Sequence, residues 1–203
     1  MTLYLVRHGL AEAGAEHLDP GLAPTGHAQA KATAEALRGL NAGRLIVSPL
    51  RRTQETAAPI AEVLGLAPEL REEVAEVFDP AMPAAERRAM FGPFMAGKWS
   101  DQPEPLRQWR ARVVRTLVEI GVAAELEDRS VVVVSHYIAI GAAIGYALGD
   151  DRVVPLPIAN CSVTTLAPGG SVITGLKLLV PASTAHLEGE LVTGLRTALP
   201  GGP

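Results

Sequence analysis

The chain has 203 residues, 48% of them hydrophobic and 20% charged, which suits one soluble domain large enough to bury a core. Its formal net charge of -4 argues against nucleic acid or an anionic membrane as the main partner. One cysteine, Cys161, leaves no intramolecular disulfide to form and reads as a small buried apolar residue in a cytoplasmic protein.

In chain order, "TLYLV" reads as a buried strand that stops at Arg7-His8-Gly9. Two cation-capable side chains at a strand end, followed by a residue that lets the backbone bend sharply, suit an anion site. The first cation also comes too soon for a signal peptide. Thr25 reads as the cap of a helix through "GHAQAKATAEALRGL", with Ala32, Ala36, Leu37 and Leu40 on its inner face. "RLIVS" is a second buried strand. Ser48 then reads as the N-cap and Pro49 as the first residue of "PLRRTQETAAPIAEVLG", with Thr53, Ala57, Ile60 and Leu64 facing inward and Gly65 as the stop.

From 78 to 105 the pattern dissolves into Pro, Met, Arg and aromatic residues, with one short helix expected over 84–91. Within it, "GPFMAGKWS" fits most of a P-loop but places Trp99 where a hydroxyl must meet magnesium, and no apolar strand precedes it. Met90, Phe91, Phe94, Met95 and Trp99 read instead as a partly apolar, lid-like insertion. Leu106, Trp109, Val113, Leu117, Ile120 and Ala124 recur at helical spacing. "SVVVVS" is a third buried strand ending at Ser135-His136. The helix "YIAIGAAIGYAL" follows, too short to span a bilayer. "SVTTLA" and "SVITGLKLL" read as closing strands, and "LPGGP" as a flexible tail.

Continuously apolar strands alternating with helices predict an α/β fold, a three-layer sandwich around a mostly parallel sheet. Ligands bind beyond the carboxyl ends of such strands, so "RHG", "SPLRR" and "SHY" fall on one edge. Arg51 and Arg52 in the first turn of a helix are electrostatically unfavourable unless an anion sits there.

"LVRHG", "LAPTGHAQA", "SPLRRTQETA", "VVVVSHYIAI" and "NCSVTTL", in this order, resemble the successive motifs of the histidine phosphatase superfamily, also called phosphoglycerate mutase-like. The resemblance runs from Thr2 to about Leu166 and implies a phosphohistidine mechanism that needs no metal or other cofactor, within a chain whose length reads as a single domain over 1–203. It makes His8 the nucleophile and places Arg7, Arg52 and His136 around the phosphate, with Arg52 preferred over Arg51 and His136 also counted as catalytic. The family spacing puts the proton donor at Glu76, with Glu72 and Glu73 as solvated alternatives. None of the five histidines shows metal-ligand spacing.

Two departures stand out. Leu10, Ala11 and Glu12 replace the polar residues common after the family's "RHG", and Tyr137-Ile138 replaces a common glycine pair and narrows the pocket wall. The expected activity is a histidine acid phosphatase-type hydrolysis of a small-molecule phosphate monoester. The alternatives are mutase-type phosphoryl transfer and an inactive relative that binds phosphate ligands. The apolar helix faces can close either a core or a homodimer.

Overall fold

The computed structural model describes residues 1–12, 19–78, 82, 84–169 and 175–195, with the side chains of 84–88 excepted. Parts of the expected insertion and closing strand, and the whole "LPGGP" tail, lie outside the described residues. Six strands form one sheet: β1 (Leu3–Arg7), β2 (Ala42–Val47), β3 (Pro68–Leu70), β4 (Ser130–Ser135), β5 (Val163–Pro168) and β6 (Leu176–Ser183). Their order is β3-β2-β4-β1-β5-β6. The first four run parallel, while β5 and β6 add to the β1 edge in antiparallel fashion.

The helices are α1 (Pro24–Ala36), α2 (Arg51–Leu64), α3 (Ala84–Ala96), α4 (Glu104–Leu126) and α5 (Tyr137–Leu148). Both faces of the sheet are covered, which is why "SVVVVS" has no polar alternation. Val131 and Val133 pack with Leu3, Leu5, Leu117, Ile120 and Ile138 on the α4–α5 side. Val132 and Val134 pack with Val6, Leu45, Ala57 and Ile60 on the α1–α2 side. This is the predicted three-layer α/β architecture.

Several local expectations are corrected. On α1 the buried positions are Gly26, Gln29, Ala30, Thr33 and Ala34, with Leu37 just beyond the helix, while Ala36 faces solvent. The helix starts one residue before Thr25, at Pro24, a residue suited to a first turn because it has no N–H to leave unpaired. α2 begins at Arg51 rather than Pro49, so the Ser48 hydroxyl is not its cap. Gly65 does end it, in the left-handed conformation at φ 64°. The helix expected over 84–91 runs on to Ala96, so most of the P-loop-like stretch is helical, and among the described residues no strand leads into it. Trp99 and Phe94 are core residues, not a lid surface. Trp99 stacks on Trp109 at 5.9 Å and meets Phe94 edge-on at 5.6 Å.

Register decides what the fold brings together. Arg7 lies beside Ser135, and Val47 beside Val134 and Leu70. Four strands therefore end at one level, and the residues just past them share one edge.

Candidate active site

At the end of β1 the chain turns after Arg7 and is held there by neighbouring strand ends. The His8 N–H donates to the Ser135 carbonyl at 3.0 Å, the Gly9 N–H donates to Thr56 Oγ1 at 3.0 Å, and Asn160 Nδ2 donates to the His8 carbonyl at 3.0 Å. Gly9 is not in a positive-φ conformation. Its lack of a side chain answers a close approach instead: a Cβ there would meet the Gly26 carbonyl oxygen at 2.7 Å. The anticipated sharp bend is a tight contact with the start of α1.

His8 is buried, and its Nδ1 lies 2.8 Å from the Gly9 carbonyl, which accepts the Nδ1–H. That fixes the tautomer with a lone pair on Nε2, and Arg52 Nε donates to this atom at 3.3 Å. Burial, then the Arg7 and Arg52 guanidinium groups, hold the His8 pKa well below the usual histidine range. The ring is neutral at pH 7.

His136 is fully buried, 5.2 Å from the His8 ring. Arg52 Nη2 approaches its Nδ1 at 3.3 Å and the Ser48 hydroxyl approaches its Nε2 at 2.7 Å. Since Arg can only donate, Nδ1 accepts and Nε2–H donates to Ser48. Its pKa is likewise depressed, first by burial and then by His8, Arg52 and Arg7. Ser48 therefore serves the site rather than a helix end, a role its place in "SPLRR" did not reveal.

The two arginines divide sharply. Arg52 has a side chain 15% exposed and reaches both histidines, while Arg51 is 64% exposed and paired through Nε with Glu55 at 2.6 Å. The anion at the first turn of α2 is supplied by the chain itself. Asp19 accepts from the Arg51 N–H at 3.1 and 2.9 Å and lies 3.6 Å from Arg52 Nη1. Asp19 thus takes up the first N–H of α2, an anion that the reading of this turn as a phosphate site did not include.

Arg7 donates from Nη1 to the carbonyls of Ile158 at 2.6 Å and Gly194 at 3.2 Å. Its guanidinium lies 4.9 Å from the centre of the Tyr137 ring. Its Nε is buried with no hydrogen-bond partner among the described residues. Burial lowers the Arg7 pKa to about 10, which still leaves it charged at neutral pH. Tyr137 therefore underlies Arg7, while Ile138 is wholly in the core.

Glu76 follows a short 3-10 turn, Glu72–Val74, whose Val74 carbonyl accepts from the Ser135 hydroxyl at 2.6 Å. Its carboxylate accepts from the Val77 N–H at 2.9 Å and the Ile138 N–H at 3.5 Å. Burial of the carboxyl group raises its pKa, against the opposing pull of those N–H groups, Arg52 and Arg7. Glu72 and Glu73 are exposed, and Glu73 pairs with Arg71 at 3.2 Å. His8, Arg7, Arg52, His136 and Glu76 thus converge, and Arg51, Glu72 and Glu73 stay outside. The contacts of Thr56, Asn160, Asp19 and Ser48 with the site do not follow from the sequence, which marks Ser48 only as a helix cap, since they form across the fold.

Chemically, the arrangement offers an unprotonated imidazole nitrogen, cationic donors around it and a carboxyl group biased toward its protonated form. Among the described residues, no group of three or more His, Cys, Asp and Glu side chains is arranged to hold a metal ion.

Comparison with known proteins agrees with this architecture. Probable phosphoglycerate mutase GpmB of Enterobacter sp. (strain 638) is 31% identical over 185 residues, covering 82% of this chain and 84% of that protein. The solved mycobacterial glucosyl-3-phosphoglycerate phosphatase superposes with a TM-score of 0.68 and 26% identity, over 89% of this chain and 97% of that one. Phosphoserine phosphatase from Entamoeba histolytica shares the fold, with a TM-score of 0.71 and 22% identity over 92% of this chain and 99% of its own. The family described as "Histidine phosphatase superfamily (branch 1)" matches residues 3–178. With most of its length inside that match, the chain belongs to the histidine phosphatase superfamily.

Proposed function

We propose that this chain is a phosphatase that hydrolyses a phosphate monoester, without metal, through a phosphohistidine on His8. The observation that carries the proposal is the state of His8. Its Nδ1–H is tied to the Gly9 carbonyl, so a lone pair on Nε2 points at Arg52 in a ring held neutral by its surroundings.

In the first step Nε2 forms a bond to phosphorus as the bond to the ester oxygen breaks. The Glu76 carboxyl gives its proton to that departing oxygen. In the second step water attacks the phosphohistidine, the Glu76 carboxylate accepts its proton, and phosphate leaves with His8 restored. Arg7, Arg52 and His136 hold the phosphoryl oxygens throughout, so most of the rate comes from positioning and charge. His136 enters this role by taking up a proton. Burial first, and then the neighbouring cations, disfavour its charged form in the free site, and a bound dianion adds an attraction that favours it.

The test is phosphate release from p-nitrophenyl phosphate with EDTA present, together with trapping of labelled phosphate on the protein. Acid-labile, alkali-stable label that disappears in His8→Ala supports the reading. Label on a serine or aspartate, or turnover only with added divalent metal, refutes it.

The 31% identity to a probable phosphoglycerate mutase supports a second reading, phosphoryl transfer between positions of one substrate. A mutase needs extra cations for a carboxylate and a second phosphate, and must exclude water. The described residues that converge here supply cations for one phosphoryl group, which favours hydrolysis.

A further inference from the structure

We infer that the segment Leu191–Gly194 is a strap that holds the anion-binding arginine and both sides of the His8 loop, making Thr193 and Gly194 positioning residues of the site. The inference rests on the reading of that site as a phosphate site. It starts from Arg7, whose Nη1 is directed by two backbone carbonyls, Ile158 and Gly194, the second 187 residues away in sequence. Neutral carbonyls orient a guanidinium without cancelling its charge, as a carboxylate partner would. Arg7 is thereby fixed at one nitrogen, while its buried Nε has no hydrogen-bond partner among the described residues.

The carbonyl can come this close only because residue 194 has no side chain. Gly194 sits at φ 77°, and a Cβ there would lie 2.3 Å from Asn160 Oδ1 and 2.8 Å from Arg7 Nη1. One residue earlier, the Thr193 hydroxyl donates to Asn160 Oδ1 at 3.1 Å and accepts from Gln29 Nε2 at 2.7 Å. The Thr193 carbonyl also accepts from the Asn160 N–H at 3.0 Å. Each of these amides reaches on to the His8 loop. Asn160 Nδ2 donates to the His8 carbonyl at 3.0 Å, and Gln29 Oε1 accepts from the Leu10 N–H at 2.8 Å.

Asn160 and Gln29 are both essentially inaccessible to solvent, so misorienting either amide strands buried polar atoms. The strap has its own apolar anchor as well. Leu187, Leu191 and Val192 pack with Leu22, Ala30 and Cys161. Changes at Thr193 and Gly194 therefore act on the polar node and leave that anchor in place.

The experiment compares wild type with Thr193→Val, Thr193→Ser and Gly194→Ala. It measures orthovanadate binding by calorimetry, kcat and KM for p-nitrophenyl phosphate, and melting temperature. Thr193→Val is nearly isosteric and removes only the hydroxyl, so it carries the test if Gly194→Ala does not fold. Orthovanadate should bind about tenfold more weakly to Thr193→Val and Gly194→Ala, with KM rising in parallel. Thr193→Ser, which keeps the hydroxyl, should stay within about twofold of wild type. Unchanged vanadate affinity in Thr193→Val overturns the inference, and so does an equal loss in Thr193→Ser. If wild type binds vanadate but turns over no phosphate ester, the functional reading fails while the strap is still judged by the binding data.

Discussion

Replacing Arg52 by alanine removes a group that contacts both histidines. Its Nε and Nη2 lie 3.3 Å from His8 Nε2 and from His136 Nδ1, the place where phosphoryl oxygens must be held. Losing a charge-assisted bidentate contact in a shielded site costs about 3 kcal/mol, or roughly 150-fold in kcat/KM. The same change moves the pH profile. Arg52 depresses the pKa of His8 and His136 and also opposes the rise at Glu76. Without it, the His8 limb, below pH 6.5 in wild type, shifts upward, and so does the Glu76 limb, above pH 4.5. Arg51→Ala should do neither, and should stay within about twofold of wild type, because its exposed side chain only pairs with Glu55. The assay is kcat/KM for an alkyl phosphate ester, whose leaving group needs the Glu76 proton, followed by phosphate release from pH 4 to 9 for all three proteins. Equal losses at 51 and 52, or limbs that move downward in Arg52→Ala, would refute the reasoning.

Glu76→Gln should slow alkyl phosphate esters about a hundredfold while leaving p-nitrophenyl phosphate, which scarcely needs protonation, nearly unaffected. The limb that falls as pH rises through the Glu76 pKa should vanish with it, and a limb that persists would assign it elsewhere. Ser48→Ala strands the His136 Nε2–H in a fully buried position and should lower kcat/KM about tenfold, with a loss of about 1–2 kcal/mol in urea denaturation. Unchanged kinetics would mean that Ser48 does not orient His136. Interconversion of 2- and 3-phosphoglycerate should be far slower than phosphate release and unaffected by 2,3-bisphosphoglycerate. A coupled assay that finds the mutase reaction faster would reverse the choice between the two readings.

The layered α/β fold was legible because its causes are local. Four consecutive valines in β4 need cover on both faces, and helical periodicity marks α2 and α4 without reference to any partner. Arg7, His8, Arg52 and His136 were legible as neighbours too, since each sits in a motif at a strand end that resembles the family's, while Glu76 rested on the family's spacing alone, with Glu72 and Glu73 left open. By itself the sequence therefore determined the layers and the edge to which the strand-end motifs bring Arg7, His8, Arg52 and His136. Only the tertiary structure decided what those residues do to one another. Ser48 looks like a helix cap until β2 and β4 align and set its hydroxyl 2.7 Å from His136. Asp19, 32 residues from Arg51 in the chain, takes the first N–H of α2, a contact that no motif announces. Gly9 looks like a bend until Gly26 is brought against it, and Thr193 and Gly194 carry no motif at all until the chain returns across the site. These contacts depend on register and long-range closure, and side-chain hydrogen bonds of that kind leave no period or spacing along the chain.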